Sequence, residues 1–330
     1  MGLGKGGAMV KLGIEIALAL AIPVSLAAPF LGNLWVTALL SNFVPQLFLL
    51  ALVITLIGWA SDLSTIRWLA LSLALINGAV LASDIVLPRL AKPVANLPDD
   101  APRLRVMTLN MLFSSRDDAA LAEKIDAEKP DILLLQEITP ARARQMSEIA
   151  SRFSDYAPLG KVSRIGDRHG TVLFANHPIL QHRELTLGGV SGRANAAQVQ
   201  VGPETLWVVS FHTIKPTTPS GAKVQTRQLE DLAQWVKGIE GPVVVGGDFN
   251  ATIHMPSLRH FLRETGMTSD MWADVPASAF IGTFPTLLPV FGVKIDHLML
   301  REAQFDRVET VAVPDRDHLG LMADMWLEPK

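Results

Sequence analysis

The stretch "VVVGGDFNAT", Val243–Thr252, fixes the reading of the whole chain. Three consecutive valines are the signature of a buried strand. Two glycines then strip the backbone of side chains, which permits close approach by a neighbouring strand. A carboxylate, Asp248, and a carboxamide, Asn250, follow two positions apart. The same arrangement recurs along the chain. "LRVMTLN" ends at Asn110, "DILLLQE" at Glu137 and "TLWVVSFH" at His212, while "VKIDHLML" carries Asp296 and His318 precedes "LGLMADMWL". A single polar residue after a strand means little, because turns favour Asn and Asp. Six such places, drawn from Asn, Glu, His and Asp, point to chemistry presented at strand ends by a rigid scaffold.

Between these runs, and the further strand candidates "TVLFANHP" and "AAQVQV", lie helical patterns. "DDAALAEKIDAEKP" has an acidic start and a Pro stop, and "AKVQTRQLEDLAQWVKGI" is amphipathic. Alternation of this kind predicts an α/β domain over residues 103–330. Twenty-nine basic against 32 acidic side chains leave no basic footprint for gripping nucleic acid. With no cysteine, there is neither a disulfide framework nor a thiolate metal site.

The first ninety residues differ. From Ile16 to Ser61 there are 46 residues without a charge, and a spanning helix needs roughly 20 apolar residues. Two crossings fit, turning near Gly32-Asn33, and Trp68–Leu87 gives a third. The alternative is a hairpin of two spans followed by a peripheral helix, and length and hydropathy favour three. Asn77 and Asp84 read as helix-packing and interface residues, too few for a transport pathway. Lys5, Lys11 and Arg67 favour a cytoplasmic N-terminus, which places the α/β domain on the outer side of the cytoplasmic membrane. Arg89, Lys92, Arg103 and Arg105 argue the other way. "AKPVANLPDDAP", residues 91–102, reads as an extended linker.

Acidic and amide oxygens without cysteine suit magnesium, manganese or calcium rather than zinc. A carboxylate-held cation, His residues able to pair with Asp, and glycines giving backbone access suit phosphate-ester hydrolysis. "TLNMLF", "LLLQEI", "VVSFHT", "VVVGGDFNAT", "KIDHLML" and "RDHLG" together resemble the endonuclease/exonuclease/phosphatase superfamily, the deoxyribonuclease-I-like fold, over Leu104 to Leu327. The layout resembles its bacterial membrane-anchored members. The resemblance implies a four-layer α/β sandwich, two packed β-sheets flanked by helices, and a phosphodiester substrate, either nucleic acid or a phospholipid or small phosphoester.

The same resemblance assigns roles. Asn110, Glu137 and Asp317 resemble the metal-positioning residues, and Asn110 also the phosphate side. Asp248 and Asn250 resemble the pair beside the scissile phosphate. His318 resembles the catalytic histidine, fixed by Asp296, and His212 the second one. Whether His318 or Asp248 is the base stays open. Asp167 and His169 lie in the region where some relatives carry a carboxylate partner for the counterpart of His212, and His169, before Gly170, reads as a substrate-side residue lining the cleft or else as a turn residue. Arg193 and Thr283 resemble substrate-side residues, the alternatives being a surface salt bridge for Arg193 and a turn residue for Thr283. His177, His182, His254 and His260 match no motif and read as solvated or capping; His297, facing opposite to Asp296, reads as structural. A catalytically silent scaffold would show erosion of this polar set, and all its principal positions are present. The residues do not identify any protein partner.

Overall fold

A computed structural model describes residues 5–28, 35–91, 102–115, 118–159, 169–273 and 280–328. The expected turn at Gly32-Asn33, Asp167 and nearly all of the linker lie outside them. The chain divides into two compact units, Met1–Ala91 with Ile253–Pro256, and Lys92–Thr252 with Ser257–Lys330.

The first unit is helical: α1 (Lys5–Ala27), α2 (Trp35–Leu40), α3 (Val44–Ala60), α4 (Ser64–Leu81) and α5 (Leu87–Ala91). A short 3-10 turn joins α2 to α3, and a π turn joins α4 to α5. Three stretches, Gly6–Ala27, Trp35–Ala60 and Ser64–Ala91, are long and apolar enough to cross a membrane. Leu20, Leu56 and Leu75 point outward, as helices surrounded by lipid require and helices in water avoid. Polar side chains turn inward instead. Asn77 Nδ2 donates to the Leu73 carbonyl at 2.9 Å and reaches Ser25 Oγ at 3.3 Å. His254, read from sequence as solvated or capping, is buried in this unit, with Nδ1 2.9 Å from Asp84 Oδ2.

The second unit holds β1 (Arg103–Asn110), β2 (Ile132–Ile138), β3 (Asp155–Ala157), β4 (Gly170–Ala175), β5 (Ile179–Glu184), β6 (Ala194–Val201), β7 (Glu204–His212), β8 (Val243–Asp248), β9 (Thr268–Ser269), β10 (Asp296–Arg301), β11 (Ala303–Val311) and β12 (Gly320–Leu327). They form two six-stranded mixed sheets, ordered β11-β12-β1-β2-β4-β3 and β5-β6-β7-β8-β10-β9. Val106, Leu134 and Leu173 of one sheet share a core with Val208, Val244 and Leu298 of the other. The opposite face of the first sheet, through Met107, Leu133 and Leu135, packs on Leu121 and Ile125 of α6 (Ala119–Glu128). Both faces of the central strands are covered, which is why their sequences run apolar without alternation. The remaining helices are the single turns α7 (Pro140–Ala143) and α8 (Ser147–Ala150), the long α9 (Pro219–Lys237), and α10 (Pro256–Thr265). The architecture is thus two packed sheets flanked by helices.

The edge strands β5 and β11 escape the sequence reading because polar side chains interrupt them, β5 being mostly exposed and β11 more often half-buried than exposed. No apolar run marks them.

Candidate active site

Strand direction gathers the polar residues at one end of the sandwich. β1 runs parallel to β2, and β7 to β8. β10 is antiparallel to β8, and β12 to β1, so their first residues meet their neighbours' last. Within the second sheet His212 pairs with Asp248, and Asp248 with Asp296. Asn110 of the first sheet crosses to the second, its Nδ2 donating to Asp248 Oδ2 at 3.0 Å.

The glycines before Asp248 are dictated by contact. A Cβ at Gly247, where φ is +146°, would stand 1.9 Å from the Phe211 carbonyl oxygen; one at Gly246 would stand 2.6 Å from both Leu134 and Leu298. The chain then turns through Asn250 at φ +47°. Its N–H donates to Asp248 Oδ1 at 2.8 Å, and its Nδ2 to the Thr213 carbonyl at 3.2 Å. Glu137 also has a positive φ, +59°, at an irregularity in the β2–β4 pairing. There it is aimed out of the ladder. Its Oε2 accepts from the Phe113 N–H at 3.0 Å, and its Oε1 lies 3.9 Å from His169 Nδ1.

His318 Nδ1 lies 2.8 Å from Asp296 Oδ2, and its Nε2 lies 3.9 Å from Asp248 Oδ2. His212 Nε2 lies 3.5 Å from the same Asp248 oxygen, and neither ring nitrogen of His212 makes a hydrogen bond. Two groups bring ligand-capable atoms within 4.8 Å of one another: Glu137, His169 and His212, and Asp248, Asp296 and His318. Asp317 belongs to neither group. Its Oδ1 is nevertheless buried without a hydrogen bond, a state that an oxygen-seeking cation satisfies. Asn110 Oδ1 already accepts from the Leu112 N–H at 3.0 Å. Asn110 therefore orients Asp248 through its amide nitrogen, while one lone pair of its oxygen is taken by the Leu112 N–H.

Burial and charge set the protonation states. Burial pushes the Asp248 carboxyl up, His318 pulls it down and Asp296 raises it again, leaving it at about 6. Burial alone would lower His318, but Asp296 and Asp248 outweigh it and raise the imidazole to about 9. Burial first, then Arg193, His169 and Lys215 around it, hold His212 well below its usual range. One histidine is thus charged at neutral pH and the other is not.

The remaining candidates are nearby but differently used. Arg193 is buried, with Nη1 donating to the Thr213 carbonyl at 3.2 Å. Thr283 is buried and its Oγ1 accepts from the Ile295 and Asp296 N–H groups, both at 3.1 Å. It fixes the backbone that carries Asp296. Nothing in the residue order marks Phe284 as packing against His318, with ring centroids 4.8 Å apart and the planes tilted by 40°. Nor does it mark His297 as bridging Asp270 and the Ala251 carbonyl, at 3.2 and 3.0 Å. Only tertiary contact creates either relation.

Residues 107–319 match the profile of the Endonuclease/Exonuclease/phosphatase family. No curated protein sequence matches the chain. Among solved structures, an endonuclease/exonuclease/phosphatase from Bacteroides vulgatus shares 18% identity at TM-score 0.54, covering 68% of this chain and 99% of its own. D. rerio TDP2 complexed with single strand DNA product shares 17% at 0.53, covering 68% and 98%. Sphingomyelinase C from Streptomyces griseocarneus shares 17% at 0.52, covering 68% and 99%. At these identities the likeness is one of fold.

Proposed function

Since the chain belongs to the endonuclease/exonuclease/phosphatase family, whose members hydrolyse phosphodiester bonds, we propose that it is a membrane-anchored, divalent-metal-dependent phosphodiesterase. In this reading residues 1–90 are the anchor, 91–102 the linker and 103–330 the catalytic domain. The observation that carries it is the convergence of Asp248, Asp296 and His318 within 4.8 Å, beside Glu137, His169 and His212. A silent scaffold has no need to bury so many ionisable groups together.

Glu137 and the unsatisfied Asp317 oxygen are the groups that fit a hard cation, magnesium first, with manganese or calcium as substitutes. When bound, the ion supplies positive charge against the phosphoryl oxygens. The chain's own residues do the rest. Asp248, ionised above pH of about 6, takes a proton from the attacking water as the new P–O bond forms. His318, charged below about 9 and held by Asp296, gives a proton to the leaving oxygen as the old bond breaks. This division makes Asp248 the base. His212, neutral and buried, offers a ring N–H to a phosphoryl oxygen. Asn250, with one amide hydrogen spent on Thr213, has the other for the same purpose. Asn110, Arg193 and Thr283 hold the backbone and side chains that do this.

The test is phosphodiester hydrolysis by the full chain in nanodiscs, with magnesium and with chelator, on bis(p-nitrophenyl) phosphate, phospholipid and plasmid DNA. Cation-dependent turnover that Glu137→Gln abolishes supports the reading. Turnover of none of the three by folded protein sinks it. Plasmid nicking without lipid turnover would make nucleic acid the substrate.

A further inference from the structure

Between Phe280 and Val293 the sequence "FIGTFPTLLPVFGV" contains no charged side chain. In the second unit this segment holds most of the exposed large apolar surface. Leu287 is 85% exposed, Phe291 74%, Val290 57% and Leu288 56%. The other described residues of that kind there are Ile281, at the foot of the same segment, and Tyr156 and Leu180 on other strands.

The segment is a built tongue. Phe284 and Val293 bridge its base through N–H to carbonyl bonds of 3.1 and 2.7 Å. The Gly282 N–H donates to the Pro289 carbonyl at 2.7 Å, and the Phe291 N–H to that of Leu288 at 3.0 Å. A Cβ at Gly282 would stand 2.3 Å from the backbone of Gly292, so glycine is needed for the two arms to touch.

The base is joined to the site. Thr286 donates its N–H to the Asp317 carbonyl at 3.0 Å and its Oγ1 hydrogen to that of Arg316 at 2.9 Å. The Leu319 N–H donates to the Thr283 carbonyl at 2.8 Å, and Phe284 lies against His318. The segment is therefore tied through its base to the loop bearing Asp317 and His318.

We propose that the tip, Leu287–Phe291, dips into the surface of a lipid bilayer, setting His318 over phospholipid head groups, so that the substrate class is a lipid phosphoester. Two features select lipid as the occupant. The tip has nothing charged to desolvate, so entering hydrocarbon costs no ion transfer. The eleven residues between Ala91, where the last membrane-length stretch ends, and Arg103, where β1 begins, reach at most about 40 Å when fully extended. A bilayer holding those helices is always within reach of the domain. The inference rests on the membrane-anchored reading above.

Because the chain has no cysteine, single cysteines can carry an environment-sensitive nitrobenzoxadiazole label. Full chains with Leu287→Cys, Phe291→Cys, Gln181→Cys or Leu56→Cys are placed in phosphatidylcholine/phosphatidylglycerol nanodiscs whose acyl chains carry doxyl quenchers. Labels at 287 and 291 are expected to lose at least half their emission, as at 56 in α3, while 181 on β5 keeps its own. Quenching at 56 without quenching at 287 and 291 overturns the tongue proposal and leaves the anchor standing. No quenching at 56 overturns the anchored reading, and this inference with it. A blue shift at 291 that tracks protein concentration and ignores the quencher overturns it in favour of a second copy of the chain.

Discussion

Asp248 and Asp296 are register partners across β8 and β10, so two buried carboxylates share one strand end. His318 reaches both, at 3.9 and 2.8 Å. The pair is tolerable because a positive charge sits between its members. That relation makes the site's pH behaviour predictable.

Turnover should follow a bell-shaped pH profile. Activity rises as Asp248 ionises near 6 and falls as His318 loses its proton near 9. Asp296→Asn removes a charge that holds the proton on His318, so the alkaline limb moves to lower pH. kcat/KM measured from pH 5 to 10 on a soluble phosphodiester checks both. An alkaline limb unmoved in Asp296→Asn contradicts the assignment of His318.

Asp248→Asn should abolish activity, and its stability relative to the native protein should improve as pH rises, from a starting point lowered by the loss of one of the two hydrogen bonds the carboxylate accepts. The native carboxyl is raised from 3.8 to about 6, so its ionisation opposes folding. That penalty is absent below pH of about 4, grows between 4 and 6, and is complete above. The difference between variant and native protein in chelator should follow this course, shifting in the variant's favour by up to about 3 kcal/mol between pH 4 and neutral pH. Thermal melting at pH 4 and pH 7.5 compares the two proteins. A difference between the two proteins that is the same at pH 4 and pH 7.5 would count against the raised carboxyl.

Glu137→Gln keeps the shape and one oxygen acceptor but loses the charge. Cation affinity by titration calorimetry should fall at least about tenfold, with the melting temperature in chelator little altered. Equal affinity in both proteins places the cation elsewhere.

Gly247→Ala should cost more than about 4 kcal/mol and prevent accumulation of folded protein, because the added carbon collides with the Phe211 carbonyl. Gly189→Ala is the comparison. Gly189 also has a positive φ, +73°, but open space around it, so the cost there is the conformational one, about 1–2 kcal/mol. Equal losses would show that backbone conformation, and not the β7–β8 approach, demands Gly247. Chemical denaturation of the two variants separates them.

The strands that carry the site were legible because they are central. "VVVGGD" and "DILLLQE" are apolar on both faces, and their chain ends are marked by a change in residue type. β5 and β11 were not legible, since an edge strand with one solvated face carries no such run. Residue types predicted the cluster of Asn110, Glu137, His212, Asp248, Asp296 and His318, but not the partners. Whether Thr283 meets a ligand or the backbone of Asp296 depends on where the Phe280–Val293 segment folds back. Spacing along the chain holds no record of that. The charge on His318 likewise needs the register of β8 with β10.

β1, the first strand of its sheet in chain order, is flanked on one side by β12, the last. Arg103 pairs with Trp326, and Asp296, Asp317 and His318 all lie within the final 35 residues. A ribosome making this chain releases the three apolar helical stretches first and the closing strand last. Until Leu327 has emerged, β1 has an open edge and the carboxylate–imidazole set is incomplete. Synthesis therefore imposes a schedule in which the apolar helices are complete before the carboxylate–imidazole set can assemble.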